Sequence, residues 1–198
     1  LFQPELRRVL ERVGRTKVSQ VFGAEGSDKH AGEWERVIPI IVESVQRLSK
    51  NTTGALIVIE RTTKLGEQIA TGVEINAKPS VELFGNIFFV NTPLHDGAVI
   101  MRNARILAAA CFLPKPQKEE LIATHLGSRH RAAIGISEVS DSITIVVSEE
   151  TGTVSVAGNG ELQRGFTSER LATYLRDKLV PKVDKDSKKH TFLKGKKK

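Results

Sequence analysis

The chain is poor in the residues that staple or decorate small folds: one cysteine, one methionine, one tryptophan and one tyrosine in 198 residues, with aromatics at 5%. A lone thiol, Cys111 in the apolar run 106–113, forms neither an internal disulfide nor a multi-cysteine metal site. That excludes zinc-finger readings and suits a reducing compartment. No stretch reaches the roughly 18 consecutive apolar residues of a membrane-spanning helix, and the start Leu1-Phe2-Gln3-Pro4 resembles no signal peptide. The first residue is not Met, so the expectation is a cut edge of a longer protein. Neither Gly-x-x-x-x-Gly-Lys nor Gly-x-Gly-x-x-Gly occurs, and there is no nucleophile elbow. Charge of one sign is also scarce outside the end of the chain. Of a net +7, residues 182–198 hold eight Lys and two Asp, a net +6, which leaves +1 for residues 1–181. The folded part is therefore near neutral, and the tail reads as solvated chain, with a weak contact with an anionic surface, or nucleic-acid binding through the tail, as the alternatives.

What is present, 39% hydrophobic and 27% charged residues, is the composition of one compact domain. A short amphipathic helix carries Leu6, Val9, Leu10 and Val13 and ends at Gly14; polar chain with Gly23, Gly26 and Ser27-Asp28 reads as loop up to Gly32. Trp34, Val37, Ile38, Ile41, Val42, Val45 and Leu48 then fall on one helical face over residues 33–49, a core stripe. Residues 55–59 read as a strand covered on both faces, and 80–89 as an apolar helix. Residues 98–101 and 106–113 form a hairpin across Arg102-Asn103-Ala104-Arg105. Helices follow at 119–126 and 129–139, then a hairpin of 143–147 with 153–157. Thr167 caps a last helix through Leu179, closed by Pro181. Gly158-Asn159-Gly160 reads as a turn. Two hairpins among alternating helices predict an α/β (α+β) domain built on one mixed, mostly antiparallel sheet surrounded by helices.

Three groups of residues carry possible chemistry. Leu94-His95-Asp96-Gly97-Ala98 precedes a strand and offers a carboxylate beside backbone that a ligand can approach closely; a plain Asp-Gly turn is the ordinary alternative. Gly127-Ser128-Arg129-His130-Arg131 opens a helix, with Ser128 as the expected N-cap. Arginines at the positive end of a helix are electrostatically misplaced unless an anion is bound there, so this start reads as a phosphate site, an exposed basic helix start being the ordinary alternative. Ser148 and Glu150, two apart at a strand end, would share a face and hold phosphate or a divalent metal; a polar hairpin tip is as good a reading. A Ser/His/Asp hydrolase from Ser128, His130 and Asp96 fails on direction, since residues two apart on a helix diverge.

Asp96-Gly97-Ala98 and Arg129-His130-Arg131, about thirty residues apart with a hairpin between, together resemble the two defining motifs of the diadenylate cyclase domain. The flanking Leu94-His95 and Gly127-Ser128 and the hairpin from Ile143 to Gly152 strengthen the likeness, which covers residues 32–166. Phe2-Gln3-Pro4-Glu5-Leu6-Arg7-Arg8 further resembles the membrane-associated A-type, in which such a segment follows three transmembrane helices. The resemblance implies condensation of two ATP into cyclic di-AMP and two pyrophosphates, with manganese, cobalt or magnesium. Asp96 would orient or deprotonate the 3′-hydroxyl. Arg129, His130 and Arg131 would neutralise the triphosphate. Gly97 and Ala98 would leave room for the ribose, Phe112 and Leu113 would lie near adenine, and Ser128 and Ser148 would hold phosphate. Ser128 stands where the family often has Thr. Glu150, Asp96 and His95 would bind the metal.

The same resemblance implies a face-to-face homodimer, no nucleic-acid partner, and a location on the cytoplasmic side of the membrane in the parent protein. It also implies a membrane-anchored regulator and phosphoglucosamine mutase as partners. The expected organisation is a helix and linker over 1–31, the catalytic domain over 32–181 and a Lys-rich flexible tail over 182–198. A non-catalytic nucleotide-sensing module with the same pocket is the alternative, weighed against by the intact Asp96.

Overall fold

The computed structural model describes residues 24–117, 123 and 126–181, residues 24–31 by backbone alone. The expected helices at 6–13 and 119–126 and the tail at 182–198 lie outside the described residues, apart from Ala123 and Leu126, which are not helical.

Helix α1, Ala24–Lys50, is the predicted stripe made solid: Trp34, Val37, Ile38, Ile41, Val45 and Leu48 are buried, and Val42 packs at the margin. It starts well before the expected position 33, so Gly26 and Ser27-Asp28 are helical rather than loop, and the expected domain boundary at 31/32 falls inside a helix. Those first turns lack an apolar face, which is why they leave no periodic trace, and adding turns to an existing helix costs little. Pro39 sits within α1 with its side exposed, where it removes one helical bond without ending the helix.

Strand β1 (Ala55–Ile59) is buried at every position, as its unbroken apolar run predicts. After a short helix α2 (Gly66–Ile69) come β2 (Val73–Ala77), α3 (Val81–Ile87), β3 (Ala98–Arg102) and β4 (Arg105–Cys111). Then follow α4 (Ser128–Val139), β5 (Ile143–Val147), β6 (Val154–Gly158), β7 (Glu161–Arg164) and α5 (Ser168–Leu179). The seven strands form one sheet in the order β2-β4-β3-β1-β5-β6-β7, with β1 and β3 parallel and every other pair antiparallel. Asn103 and Ala104 both take positive φ (49° and 58°), the geometry of a two-residue hairpin turn matched to strand twist. Thr167 caps α5 by accepting from the Arg170 amide, as read from the sequence.

Alternation along β1 sorts the core into two layers. Ala55, Ile57 and Ile59 face α1, α3 and α5 with Phe84, Ile87 and Leu175, whereas Leu56 and Val58 face α4 and α2 with Ala133, Ile136 and Leu65. The result is helices on both faces of a sheet whose centre is mostly apolar, with Thr144 and Ser155 as buried hydroxyls on β5 and β6.

One buried carboxylate interrupts this core. Glu60, just past β1, has a side chain with 0% exposure and takes both nitrogens of an Arg102 fork, the Lys64 ammonium and the Leu65 amide. Burial pushes its pKa up, but those donors, Arg102 foremost, outweigh burial and hold it below the ordinary value.

Candidate functional site

Topology gathers the three groups read from the sequence. Because β1 and β3 run parallel while β4 and β5 oppose them, the starts of β1 and β3 and the ends of β4 and β5 share one end of the sheet. Gly54, Asp96-Gly97, Phe112-Leu113 and Ser148 therefore meet there, and the first turn of α4 joins them.

Two adjoining cavities occupy this end. One, about 210 Å³, is walled by Leu56, Asp96, Gly97, Cys111, Phe112, Leu113, Ser128, Arg129 and Ala132. The other, about 150 Å³, is walled by Gly127, Ser128, Arg129, His130, Val147, Ser148, Glu149, Glu150, Thr151 and Arg164. Ser128 and Arg129 belong to both, so the carboxylate of the first motif and the basic start of α4 face one continuous space. Phe112 is 68% exposed at its rim with its amide fixed by Thr71 Oγ1, an apolar ring left open to solvent. A larger groove of about 750 Å³ between α1 and α3, beside exposed Phe89 and Val90, has Arg47 and Glu82 as its only charged walls.

Gly97 has φ +116°, and a Cβ there would lie 2.7 Å from the Ala110 carbonyl carbon, so only glycine lets the motif turn against β4. Ala98 sits deeper than Gly97. Its side chain is fully buried under α4 and lines neither cavity, because β3 points it into the core.

The start of α4 also departs in detail. Gly127, extended at ψ 177°, is the N-cap, and Ser128 is the first helical residue, making no side-chain cap. The amides of His130 and Arg131 turn back to the Gly127 carbonyl. Those of Ser128 and Arg129 have no acceptor within the helix, as at any helix start, and can serve an anion. His130 is buried at the back of the smaller cavity, while Arg131 lines neither and sends Nε to the Leu126 carbonyl.

Ser148 and Glu150 do not alternate as on a strand, since β5 stops at Val147 and residues 148–152 turn. The Ser148 hydroxyl accepts from the Glu150 and Thr151 amides, and both residues still wall the smaller cavity. The sequence reading missed Glu149, which accepts from Arg129 Nη1 at 2.6 Å, and Gly54, where a Cβ would stand 2.8 Å from that nitrogen. The available signal was the acidic pair Glu149-Glu150 at a hairpin tip, opposite in charge to the basic start of α4.

For a divalent metal, Asp96 and Glu150 are exposed carboxylates on opposite sides of the Ser128-Arg129 junction. His95, half-buried with Nδ1 against the Thr92 carbonyl, walls neither cavity. Among the described residues no three His, Cys, Asp or Glu side chains gather to hold a metal. This donor set fits an ion that takes one or two carboxylates and draws its other ligands from substrate phosphates and water. Cys111 contributes no reactivity: burial raises its thiol pKa to about 11.

Comparison with known proteins agrees with this geometry. The family described as "DisA bacterial checkpoint controller nucleotide-binding" (DAC) matches residues 42–162. "Cyclic di-AMP synthase CdaA" of Bacillus subtilis is 48% identical over 197 residues, which is 100% of this chain and 70% of the relative. The crystal structure of a double mutant of DacA from Staphylococcus aureus superposes with a TM-score of 0.70 at 44% identity, over 72% of this chain and 95% of that one. A hypothetical membrane spanning protein from Bacillus cereus gives 0.62 at 46% identity, over 65% of this chain and 63% of the other. With Asp96-Gly97 of one motif and Arg129 of the other lining one cavity, and these matches along most of its length, the chain belongs to the DAC family, the diadenylate cyclases.

Proposed function

We propose that this chain condenses two molecules of ATP into cyclic di-AMP and two pyrophosphates, using a divalent metal carried with the triphosphate. The observation that carries the reading is the meeting of Asp96 with the α4 start at Ser128-Arg129. A carboxylate beside a phosphate cradle repels a mere ligand, yet it is what a hydroxyl nucleophile needs.

In each half-reaction an O3′–Pα bond forms, the bond from Pα to the bridging oxygen breaks, pyrophosphate departs, and the hydroxyl proton is lost. Little covalent chemistry falls to the protein, so positioning and charge stabilisation dominate. Asp96 orients the 3′-hydroxyl and accepts its proton. Arg129 and the Ser128 and Arg129 amides stabilise the phosphate charge, and His130 supports that cradle from behind. Phe112 and Leu113 cover the base. Asp96 or Glu150 would hold the metal, which when bound would supply positive charge at the phosphates.

Among the described residues there is one such cavity, so one chain offers one hydroxyl and one α-phosphorus at a time. The near two-fold product therefore requires two chains face to face. The catalytic unit, expected over 32–181, is widened to take in the whole of α1 from Ala24. By the same family likeness the parent protein is held at the membrane, a reading supported by the name of the Bacillus cereus relative. No described helix is long and apolar enough to cross one. A membrane-anchored regulator and phosphoglucosamine mutase are the proposed partners.

The test is substrate dissection. ATP with a divalent metal should give two pyrophosphates per cyclic dinucleotide, and 3′-deoxy-ATP should bind comparably yet yield no cyclic product. Cyclisation of the 3′-deoxy substrate would overturn the reading.

A further inference from the structure

The Arg129 guanidinium is confined on two sides. Gly54 lies so close that a single added carbon would touch Nη1. On the other side Glu149 takes that nitrogen at 2.6 Å, the only acceptor Arg129 has among the described residues. The two partners differ sharply in exposure, 18% for the Arg129 side chain and 62% for Glu149. Behind Glu149 the backbone is fixed: Ser148 Oγ accepts from the next two amides, the Gly152 amide donates to the Ser148 carbonyl, and Ser49 Oγ of α1 donates to the Gly152 carbonyl at 2.6 Å. A Cβ at Gly152 would stand 2.4 Å from the Ser49 carbonyl oxygen, so turn and helix are packed without slack. The turn is packed against α1 without slack, the Arg129 guanidinium rests between Gly54 and Glu149, and the exposed Glu149 side chain can swing into water.

We infer that Glu149 is an internal stand-in for substrate phosphate: its carboxylate holds Arg129 while no triphosphate is present, gives way when one binds, and returns to help expel pyrophosphate. This rests on the assignment of the cavity to a nucleoside triphosphate. The carboxylate and the phosphate compete for one guanidinium edge, and the more highly charged phosphate wins. The residue thus tunes affinity downward, favouring turnover over tight product retention. An exposed pair of this kind shifts an equilibrium only modestly, so the competition is worth about two- to fivefold in affinity.

The probes are inorganic pyrophosphate and α,β-methylene-ATP, titrated calorimetrically into the parent chain, Glu149→Gln and Glu149→Ala, with adenosine as the phosphate-free control. Both variants should bind both probes about two- to fivefold more tightly than the parent, with adenosine unchanged. Unchanged or weaker probe binding in either variant overturns the inference. Weakening in Glu149→Ala alone would show instead that Glu149 positions Arg129, and equal tightening of adenosine would show a general effect on the cavity. If the parent binds neither probe, the assignment of the cavity itself falls, and the inference with it.

Discussion

Replacing Arg102 by Met keeps most of the buried stem and removes the charge that Glu60 relies on. The Glu60 side chain has 0% exposure, so the variant must bury a carboxylate supported only by Lys64 at 3.0 Å and the Leu65 amide. Breaking a buried pair from one side costs about 3–5 kcal/mol in general. Here Arg102 is itself 32% exposed and its removal admits water, and two donors remain, so the expected loss is about 2–3 kcal/mol at neutral pH. For a chain of this size that lowers Tm by roughly 4–12 °C.

The sign with pH is also set. In the parent, Glu60 sits below its ordinary value of 4.5, so its contribution is complete above that value and is lost as pH falls through the lower native one. In the variant, burial is no longer outweighed, the native pKa rises, and protonation on acidification relieves the strain. The gap between parent and variant must therefore narrow from pH 7 towards pH 4.5, measured by urea unfolding at each pH. A neutral-pH loss below about 1 kcal/mol, or a gap that stays constant, would refute the reasoning.

Three further outcomes are expected. Arg129→Ala should weaken ATP binding by about 2–5 kcal/mol, as when a desolvated charged contact is lost, and an unchanged Kd by calorimetry would place Arg129 outside the substrate contacts. Gly54→Ala should displace the guanidinium and weaken ATP binding by a smaller amount, with Tm shifted by no more than a few degrees, since the obstructing group is a side-chain tip; affinity equal to the parent's would show that the cradle does not fix Arg129. Cys111, buried with a pKa near 11, should stay unlabelled by iodoacetamide in the native protein and react fully in urea, and rapid native labelling would contradict its burial.

The sequence announced the centre of the molecule and not its margins, for a physical reason. β1 and α1 face apolar neighbours, so their patterns had to be strong. The two strands left unread, β2 and β7, are the edges of the sheet, and their mostly exposed residues, Glu74, Glu161 and Arg164 among them, carry little hydrophobic signal. Polar edges of this kind also discourage pairing with other chains. Asp96 and Arg129 were legible because their residue types stand in places that charge and turn rules single out. Glu149 and Gly54 were not, since their roles arise from contacts with Arg129 made only when β1, α4 and the β5-β6 turn converge. The reading of Ser128 as a cap failed on a single-residue offset, the scale at which local pattern gives no information.

The most direct measurement is incubation of the pure protein with ATP and manganese, separation and mass identification of the nucleotides, and the same with Asp96→Asn. The account predicts cyclic di-AMP from the parent and none from the variant, which keeps its ATP affinity because shape is preserved and only charge is lost. Turnover by Asp96→Asn at the parental rate, or ATP bound by the parent without product at any protein concentration, would contradict it.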